Sequence, residues 1–136
     1  MSIAFVDASA VMKLVLHEDG SDQLDEYLGG CSVVASDLAV TEVLRGARRA
    51  AAGEAETFSR LVERTMMVME EMVLITAETT LFARAGLLEG AHLRSLDAVH
   101  LATALTIGDV DVFVTYDERQ AAAARLAGLR TIAPGV

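Results

Sequence analysis

The sequence predicts an α/β fold in which a five-stranded parallel sheet is covered by helices on both faces. Short apolar runs alternate with helical stretches along the whole chain, which is typical of a parallel sheet between two helical layers. The first apolar run, residues 3–6, has almost no polar interruption, as expected of a strand buried on both faces. With 136 residues, 53% of them hydrophobic, the chain suffices for one well-buried core and is too short for two. We therefore expect a single domain spanning residues 1–136.

The first half of the chain is predicted to supply two strands and four helices. Residues 8–17 follow the first strand, with Ser9 in capping position and apolar residues on one helical face, so we expect a helix that Gly20 ends. Residues 21–28 are amphipathic and predict a short second helix. The remaining elements of this half are a strand at 32–35, a helix at 36–52 capped by Ser36 and Asp37, and, after Gly53, a helix at 54–69.

The second half continues the alternation of strands and helices. Ser95 is expected to cap a helix over residues 96–107, which Gly108 ends, and Gly128 is expected to end the helix before the last strand. The other predicted elements are strands at 72–75, 111–115 and 130–133, and helices at 78–89 and 117–127.

The charge balance excludes a broad nucleic-acid-binding face. The chain carries 20 acidic and 11 basic residues for a net charge of −9, and Lys13 is its only lysine. An acidic surface repels nucleic acid at long range, so any action on nucleic acid requires local arginine clusters and a bound cation.

Targeting signals and membrane spans are not evident in the sequence. No apolar run approaches the roughly 20 residues that a membrane span needs, and the N-terminus has no basic region followed by an apolar core. We therefore expect a cytoplasmic protein with no membrane partner.

Two acidic residues are predicted at unusual positions, one at a ligand-binding edge of the sheet and one where burial of its charge is costly. Asp7 is the first residue after the buried strand, at the sheet edge where α/β proteins bind their ligands. Asp97 lies in a stretch that is apolar on all sides, and a buried carboxylate must be paired, protonated or bound to a metal. Its alternative role is a favourable interaction with the amino end of its own helix.

Two further acids are expected at the same sheet edge. Glu42 lies on a predicted helix three residues before Arg45 and seven before Arg49, so its alternative role is an ordinary helical ion pair. Asp117 directly follows the fourth strand and could instead cap the next helix. The acids that precede strands belong at the opposite end of the sheet; these are Glu70, Glu71, Asp109 and Asp111.

Four carboxylates in one pocket require a cation. At a separation of about 4 Å, each ionised pair costs roughly 4 kcal/mol at an effective dielectric constant near 20. Oxygen ligands suit Mg²⁺ or Mn²⁺, and the three histidines and one cysteine have no zinc-binding spacing. His100, one turn after Asp97, is interpreted as a packed helix residue.

At these residues the chain resembles a known family. It is similar to the PIN-domain ribonucleases, and more narrowly to the VapC toxins of bacterial type II toxin-antitoxin pairs, at residues 6–10 (VDASA), 41–46 (TEVLRG), 93–104 (LRSLDAVHLATA) and 114–119 (VTYDER). The resemblance covers essentially the whole chain and implies a PIN-like domain with strand order 3-2-1-4-5.

The resemblance also implies a site and an activity, the hydrolysis of RNA phosphodiester bonds with Mg²⁺ or Mn²⁺. The implied catalytic acids are Asp7, Glu42, Asp97 and Asp117, of which Asp7, Asp97 and Asp117 would bind the metal and Glu42 could orient the attacking water. Ser9 and Thr115 would support them with hydroxyl groups. Candidate contacts to RNA phosphates, each of which could instead be a surface ion-pair residue, are Arg45, Arg48, Arg49, Arg94 and Arg119.

The implied partners are a VapB-like antitoxin and a second copy of the chain, with DNA reached only through the antitoxin. The predicted helix at 54–69 has more apolar positions than one buried face requires, and methionines cluster at its end at positions 66, 67, 69 and 72. This 54–72 surface could bind the antitoxin, with the helix at 21–28 as the other wall of a groove, form a homodimer, or belong to the core.

Three other protein classes share features with this sequence. A haloacid-dehalogenase-type phosphatase needs a second acid two residues after the first, where Ser9 stands, and a lysine near the site. A receiver domain has the same lysine requirement, and Lys13 is badly placed. A catalytically silent PIN-like binding or scaffold protein remains an alternative, although four intact acids argue against it.

Overall fold

The computed structural model describes residues 1–90 and 92–136 and confirms the predicted fold class. A single five-stranded parallel sheet has the order β3-β2-β1-β4-β5, as the family resemblance implied. In chain order the elements are β1 (Ser2–Val6), α1 (Ala8–Leu16), α2 (Ser21–Leu28), β2 (Cys31–Ser36), α3 (Leu38–Ala51), α4 (Ala55–Glu70), β3 (Val73–Ile75), α5 (Thr79–Gly86), α6 (Ser95–Ile107), β4 (Val112–Val114), α7 (Glu118–Leu126) and β5 (Thr131–Ile132).

The central strand β1 separates two helical layers. Ala4 and Val6 pack into one core cluster with residues of α1, α2, α3 and α4, whereas Phe5 packs into another with residues of α6 and α7. This split follows from the alternation of side chains along a strand. Phe5 also stacks on Phe113 of β4, with ring centroids 5.4 Å apart. Helices therefore cover both faces of the sheet, and the first strand is buried on both sides.

Several details of the predicted helix boundaries and caps were wrong. The Asp37 side chain accepts from the Ala77 amide and does not cap α3. Asp7, and not Ser9, caps α1, because its side chain accepts a hydrogen bond from the Ala10 amide while Ser9 already lies within the helix. Ser95 is the first residue of α6 and makes no capping bond. Helix α5 ends at Gly86 and does not reach residue 89, since glycine disfavours helix and the exposed Leu87 offers no packing that would extend it.

Helix α4 divides the 54–72 apolar surface between core and solvent. Thr65 and Met69 are buried, so Met69 belongs to the core. Met66 and Met67 are 46% and 68% exposed.

Among the described residues, no helix is long and apolar enough to cross a membrane.

Candidate active site

Asp7 and Thr115 lie side by side at the carboxyl edge of the sheet. They directly follow β1 and β4, which are parallel neighbours, and the Asp7 amide donates to the Val114 carbonyl oxygen. Parallel strands bring their carboxyl ends to one edge, so residues distant in sequence become adjacent here.

A network of short hydrogen bonds holds the Asp7 carboxylate. Its Oδ1 accepts from Ser9 Oγ at 2.6 Å and from the Ala10 amide at 3.1 Å, and its Oδ2 accepts from Thr115 Oγ1 at 2.5 Å. The two hydroxyl groups are themselves fixed by backbone donors, Ser9 by the Tyr116 amide and Thr115 by the Asp117 amide. The orientation of Asp7 is therefore set before any ligand binds.

Burial makes the Asp7 carboxylate costly to ionise. Asp7 is 2% exposed, and desolvation raises the pKa of its carboxyl above the ordinary value. The hydrogen bonds from Ser9, Thr115 and Ala10 lower this pKa and so oppose the effect of burial. A nearby positive charge would relieve this cost.

Asp97 occupies the first turn of α6 and points to the same acidic region. Burial raises the pKa of its carboxyl, and repulsion from Asp117, Asp7 and Glu42 raises it further. Within the described part of the chain, neither of its carboxylate oxygens accepts a hydrogen bond from the protein. The charges of Asp117, Asp7 and Glu42 are therefore close enough to Asp97 to repel its carboxylate.

Asp117 takes the capping role that its position allowed and also lies close enough to Asp97 to repel its carboxylate. Its Oδ1 caps α7 by accepting from the amides of Arg119 and Gln120 at 2.8 and 3.1 Å. The buried Gln120 then donates from Nε2 to the Asp97 carbonyl oxygen at 3.0 Å. This bond ties the first turn of α7 to the first turn of α6, and so fixes Asp117 relative to Asp97.

Glu42 reaches the site from α3, on the other side of the sheet. Its Oε1 lies 2.5 Å from Nε2 of His100, a fully buried residue one turn after Asp97. No ion pair with Arg45 or Arg49 forms in the described structure, so the alternative role for Glu42 is not observed.

Sequence reasoning missed His100 and Gln120 as neighbours of the acids. Both are fully buried polar side chains in otherwise apolar surroundings. The available signal was a polar residue one turn after each acid, at i+3 from Asp97 and from Asp117. Burial agrees with the interpretation of His100 as a packed residue, but its contact with Glu42 could not be read from one sequence.

The four acids are the type of ligand that a hard cation prefers, but they do not already form a metal site. Across residues 1–90 and 92–136, no three histidine, cysteine or acidic side chains form a ready-made metal site. Asp7, Glu42 and Asp117 each bond a donor of the protein instead. Because the donor set is entirely oxygen and Asp97 lacks a protein donor, the residues fit Mg²⁺ or Mn²⁺.

The candidate arginines fall into separate places. Arg45 and Arg49 line an open groove between α1 and α3 that also contains Glu42 and Ser9. The Arg48 guanidinium lies 3.9 Å from the centre of the Phe58 ring. Arg119 lines a different, more apolar cavity with His92 and Leu93, and Arg94 is exposed at the start of α6.

Comparison with known proteins agrees with this fold. The family model of the PIN domain matches residues 4–126. Ribonuclease VapC46 of Mycobacterium tuberculosis is 35% identical over 136 residues, covering 98% of this chain and 99% of the relative.

Two solved structures have the same fold at low sequence identity. VapC20 of Mycobacterium tuberculosis, described as a sarcin-ricin loop cleaving toxin, matches with a TM-score of 0.72 and 15% identity over 96% of this chain and 99% of that chain. VapBC2 of Rickettsia felis, bound to a DNA fragment from its promoter, matches with a TM-score of 0.71 and 14% identity over 97% of this chain and 98% of that chain. The family match and the full-length relative together show that this chain belongs to the PIN-domain family, among the VapC ribonucleases.

Proposed function

We propose that this chain is a Mg²⁺- or Mn²⁺-dependent endoribonuclease and the toxin of a toxin-antitoxin pair. The observation that carries the proposal is the position of Asp97 among three other acids. Burial raises the pKa of its carboxyl, and the charges of Asp117, Asp7 and Glu42 raise it further. A site of this kind is suited to a divalent cation and a phosphate. The VapC ribonucleases to which the chain is similar support RNA as the substrate.

The four acids have two different roles in hydrolysis. Asp7, Asp97 and Asp117 would hold the ion, which when bound supplies activation of water and stabilisation of charge on the phosphate. Glu42 orients the attacking water and accepts its proton as the new phosphorus–oxygen bond forms. The ester oxygen on the opposite side of the phosphorus leaves with a proton from solvent. Ser9 and Thr115 keep the Asp7 carboxylate in place throughout.

Arg45 and Arg49 are the arginines best placed to hold the RNA backbone. They are exposed, form no ion pair within the described residues, and line the groove that also contains Glu42. Phosphate contacts position a nucleic acid without reading its sequence. The positive charges of these two arginines locally offset the repulsion of RNA that is expected from a net charge of −9.

The partner that we propose is a VapB-like antitoxin with a basic segment. The net charge of −9 attracts such a segment at long range, and a lysine or arginine from it could replace the charge of the metal in the acidic pocket. Complexes of toxin and antitoxin are among the structures with this fold. We also propose a homodimer of the toxin, with DNA contacted only through the antitoxin.

Cleavage of RNA by the purified chain tests the proposed activity. We expect cleavage with added Mn²⁺ or Mg²⁺, and its loss with a chelator. A matched sample of Asp97→Asn separates this activity from a contaminating nuclease, because a contaminant would act equally in both samples. Absence of cleavage by a folded chain with bound Mn²⁺ would favour a catalytically silent binding protein.

A further inference from the structure

The contact between His100 and Glu42 crosses the carboxyl edge of the sheet. Glu42 belongs to α3, whose Ala39 and Val43 pack on one face of the sheet, and His100 belongs to α6, whose Leu101 and Ala104 pack on the other. The 2.5 Å separation of His100 Nε2 and Glu42 Oε1 therefore joins the two helical layers.

The surroundings of the His100 ring determine which nitrogen donates. Nδ1 is buried and has no hydrogen-bond partner within the described residues. A proton on Nδ1 would be buried without an acceptor, whereas a bare ring nitrogen loses less on burial. The ring is therefore best described as the tautomer with its proton on Nε2, donating to the Glu42 carboxylate.

Without this donor Glu42 has other partners available. Its side chain is 23% exposed, has three rotatable bonds, and lies three residues before Arg45 on the same helix, a spacing that favours an ion pair. The contact with His100 holds the carboxylate beside α6, within electrostatic range of Asp97.

We propose that His100 is a positioning residue, which holds Glu42 in the acidic pocket by donating from Nε2 across the two helical layers. This inference rests on the catalytic role proposed above for Glu42. It adds a buried residue of α6 that touches neither the RNA nor the reacting water but determines where the water-orienting carboxylate stands.

Cleavage kinetics of two His100 variants test this role. His100→Leu removes the donor, and we expect kcat to fall roughly 10- to 100-fold, as for other residues that orient a catalytic ligand, with little change in KM. His100→Gln carries an amide N–H that can reach Glu42, and should restore most of kcat. Thr103→Val is the matched control, because Thr103 is equally buried one turn further along α6 and bonds only its own helix at Val99.

Combined variants separate positioning from packing. In a Glu42→Gln background, His100→Leu should cause little further loss of kcat, since the residue that it positions is already disabled. Losses that multiply, equal losses in the leucine and glutamine variants, or a wild-type kcat for His100→Leu would each overturn the proposal. A wild-type kcat for Glu42→Gln would overturn it as well.

Imidazole nitrogen NMR gives a test that survives any failure of the leucine variant to fold. The chain has three histidines, so the His100 ring can be assigned in the unmodified protein. We expect Nε2 to carry the proton, Nδ1 to be bare, and the Nε2 resonance to shift in Glu42→Gln. An Nδ1-protonated ring, or an unshifted resonance, would overturn the contact. Absence of any RNA cleavage by the unmodified protein would instead overturn the proposed nuclease function.

Discussion

Thr115 donates a 2.5 Å hydrogen bond to Asp7, and this bond joins the carboxyl ends of two neighbouring strands. Replacing Thr115 with valine keeps the shape of the side chain but leaves Asp7 Oδ2 without its donor. We expect RNA cleavage to fall by roughly tenfold or more, because groups that orient a metal-binding ligand typically contribute this much. Thr115→Ser retains the hydroxyl and should stay close to the unmodified chain in the same assay. Equal activity in the valine and serine variants would contradict a supporting role for the hydroxyl.

Asp7→Asn and Asp97→Asn should each abolish cleavage in the presence of Mn²⁺. Each change removes one of the negative charges that would bind the ion, while preserving the size of the side chain. Asp111→Asn is the matched control, because Asp111 lies at the opposite end of the sheet, where its carboxylate accepts from the Ile3 amide at 2.7 Å. Full activity of either site variant would exclude the assigned pocket, and so would an equal loss in the control.

The metal-free protein should become less stable as the pH rises above the acidic range. Burial raises the pKa of Asp7 and of Asp97 in the folded state above the ordinary value of 3.8. The folded state therefore holds its protons more tightly than the unfolded state, so their contribution is fully present below pH 3.8 and is lost as the pH rises through the raised values. Urea unfolding at several pH values, with a chelator present, measures this change.

Asp7→Asn should flatten that pH dependence and raise the stability of the metal-free fold at neutral pH. The amide oxygen can still accept from Ser9 and Ala10, but the amide nitrogen now faces the Thr115 hydroxyl, which limits the gain. An unchanged slope of unfolding free energy against pH in this variant would show that Asp7 is not the group responsible.

The sequence was sufficient for the sheet but not for the contacts between helices. Residues 3–6 signalled a strand buried on both faces, and parallel strands necessarily place Asp7 and Thr115 at one edge. The strand order came from the family resemblance, whereas the four acids were already indicated by their positions in the sequence, and their catalytic roles stay predictions. The bond between His100 and Glu42 spans 58 positions and depends on how two helical layers meet above the sheet, which a local pattern does not encode.

Local capping chemistry was the least predictable feature. Ser9 and Asp7 are both good capping residues only two positions apart, and Asp7 prevails because the strand ends directly before it. Ser9 then becomes a donor to Asp7. A propensity argument ranks such residues but does not decide between neighbours.

Arg45→Ala and Arg49→Ala should weaken RNA binding without disabling the chemistry. Both side chains line the groove beside Glu42, so we expect KM to rise while kcat changes little, and the combined variant to depend less steeply on salt concentration. Arg84→Ala is a suitable control, because Arg84 lies on α5 and contacts Thr106 in a different part of the fold. An unchanged KM in the combined variant would show that these arginines do not contribute to RNA binding.

The proposed antitoxin should contact the outward apolar stripe of α4. Phe58, Val62 and Met66 follow one another at four-residue spacing and lie outside the core clusters, with Met66 exposed and the other two half-buried, whereas Thr65 and Met69 face the interior. Val62→Asp and Met66→Asp should therefore weaken antitoxin binding while leaving the fold intact, a test that substitution of the buried Met69 could not provide.

Ser59→Asp supplies the matched control for these variants, because it adds the same charge at an exposed position of the same helix. Antitoxin affinity is measured by calorimetry, and the oligomeric state of the toxin alone by sedimentation. A loss of affinity confined to Val62→Asp and Met66→Asp, with an unchanged oligomeric state, assigns the stripe to the antitoxin. A dissociated toxin with unchanged antitoxin affinity would assign it to the homodimer instead, since one apolar stripe of this length cannot be buried by both partners at once.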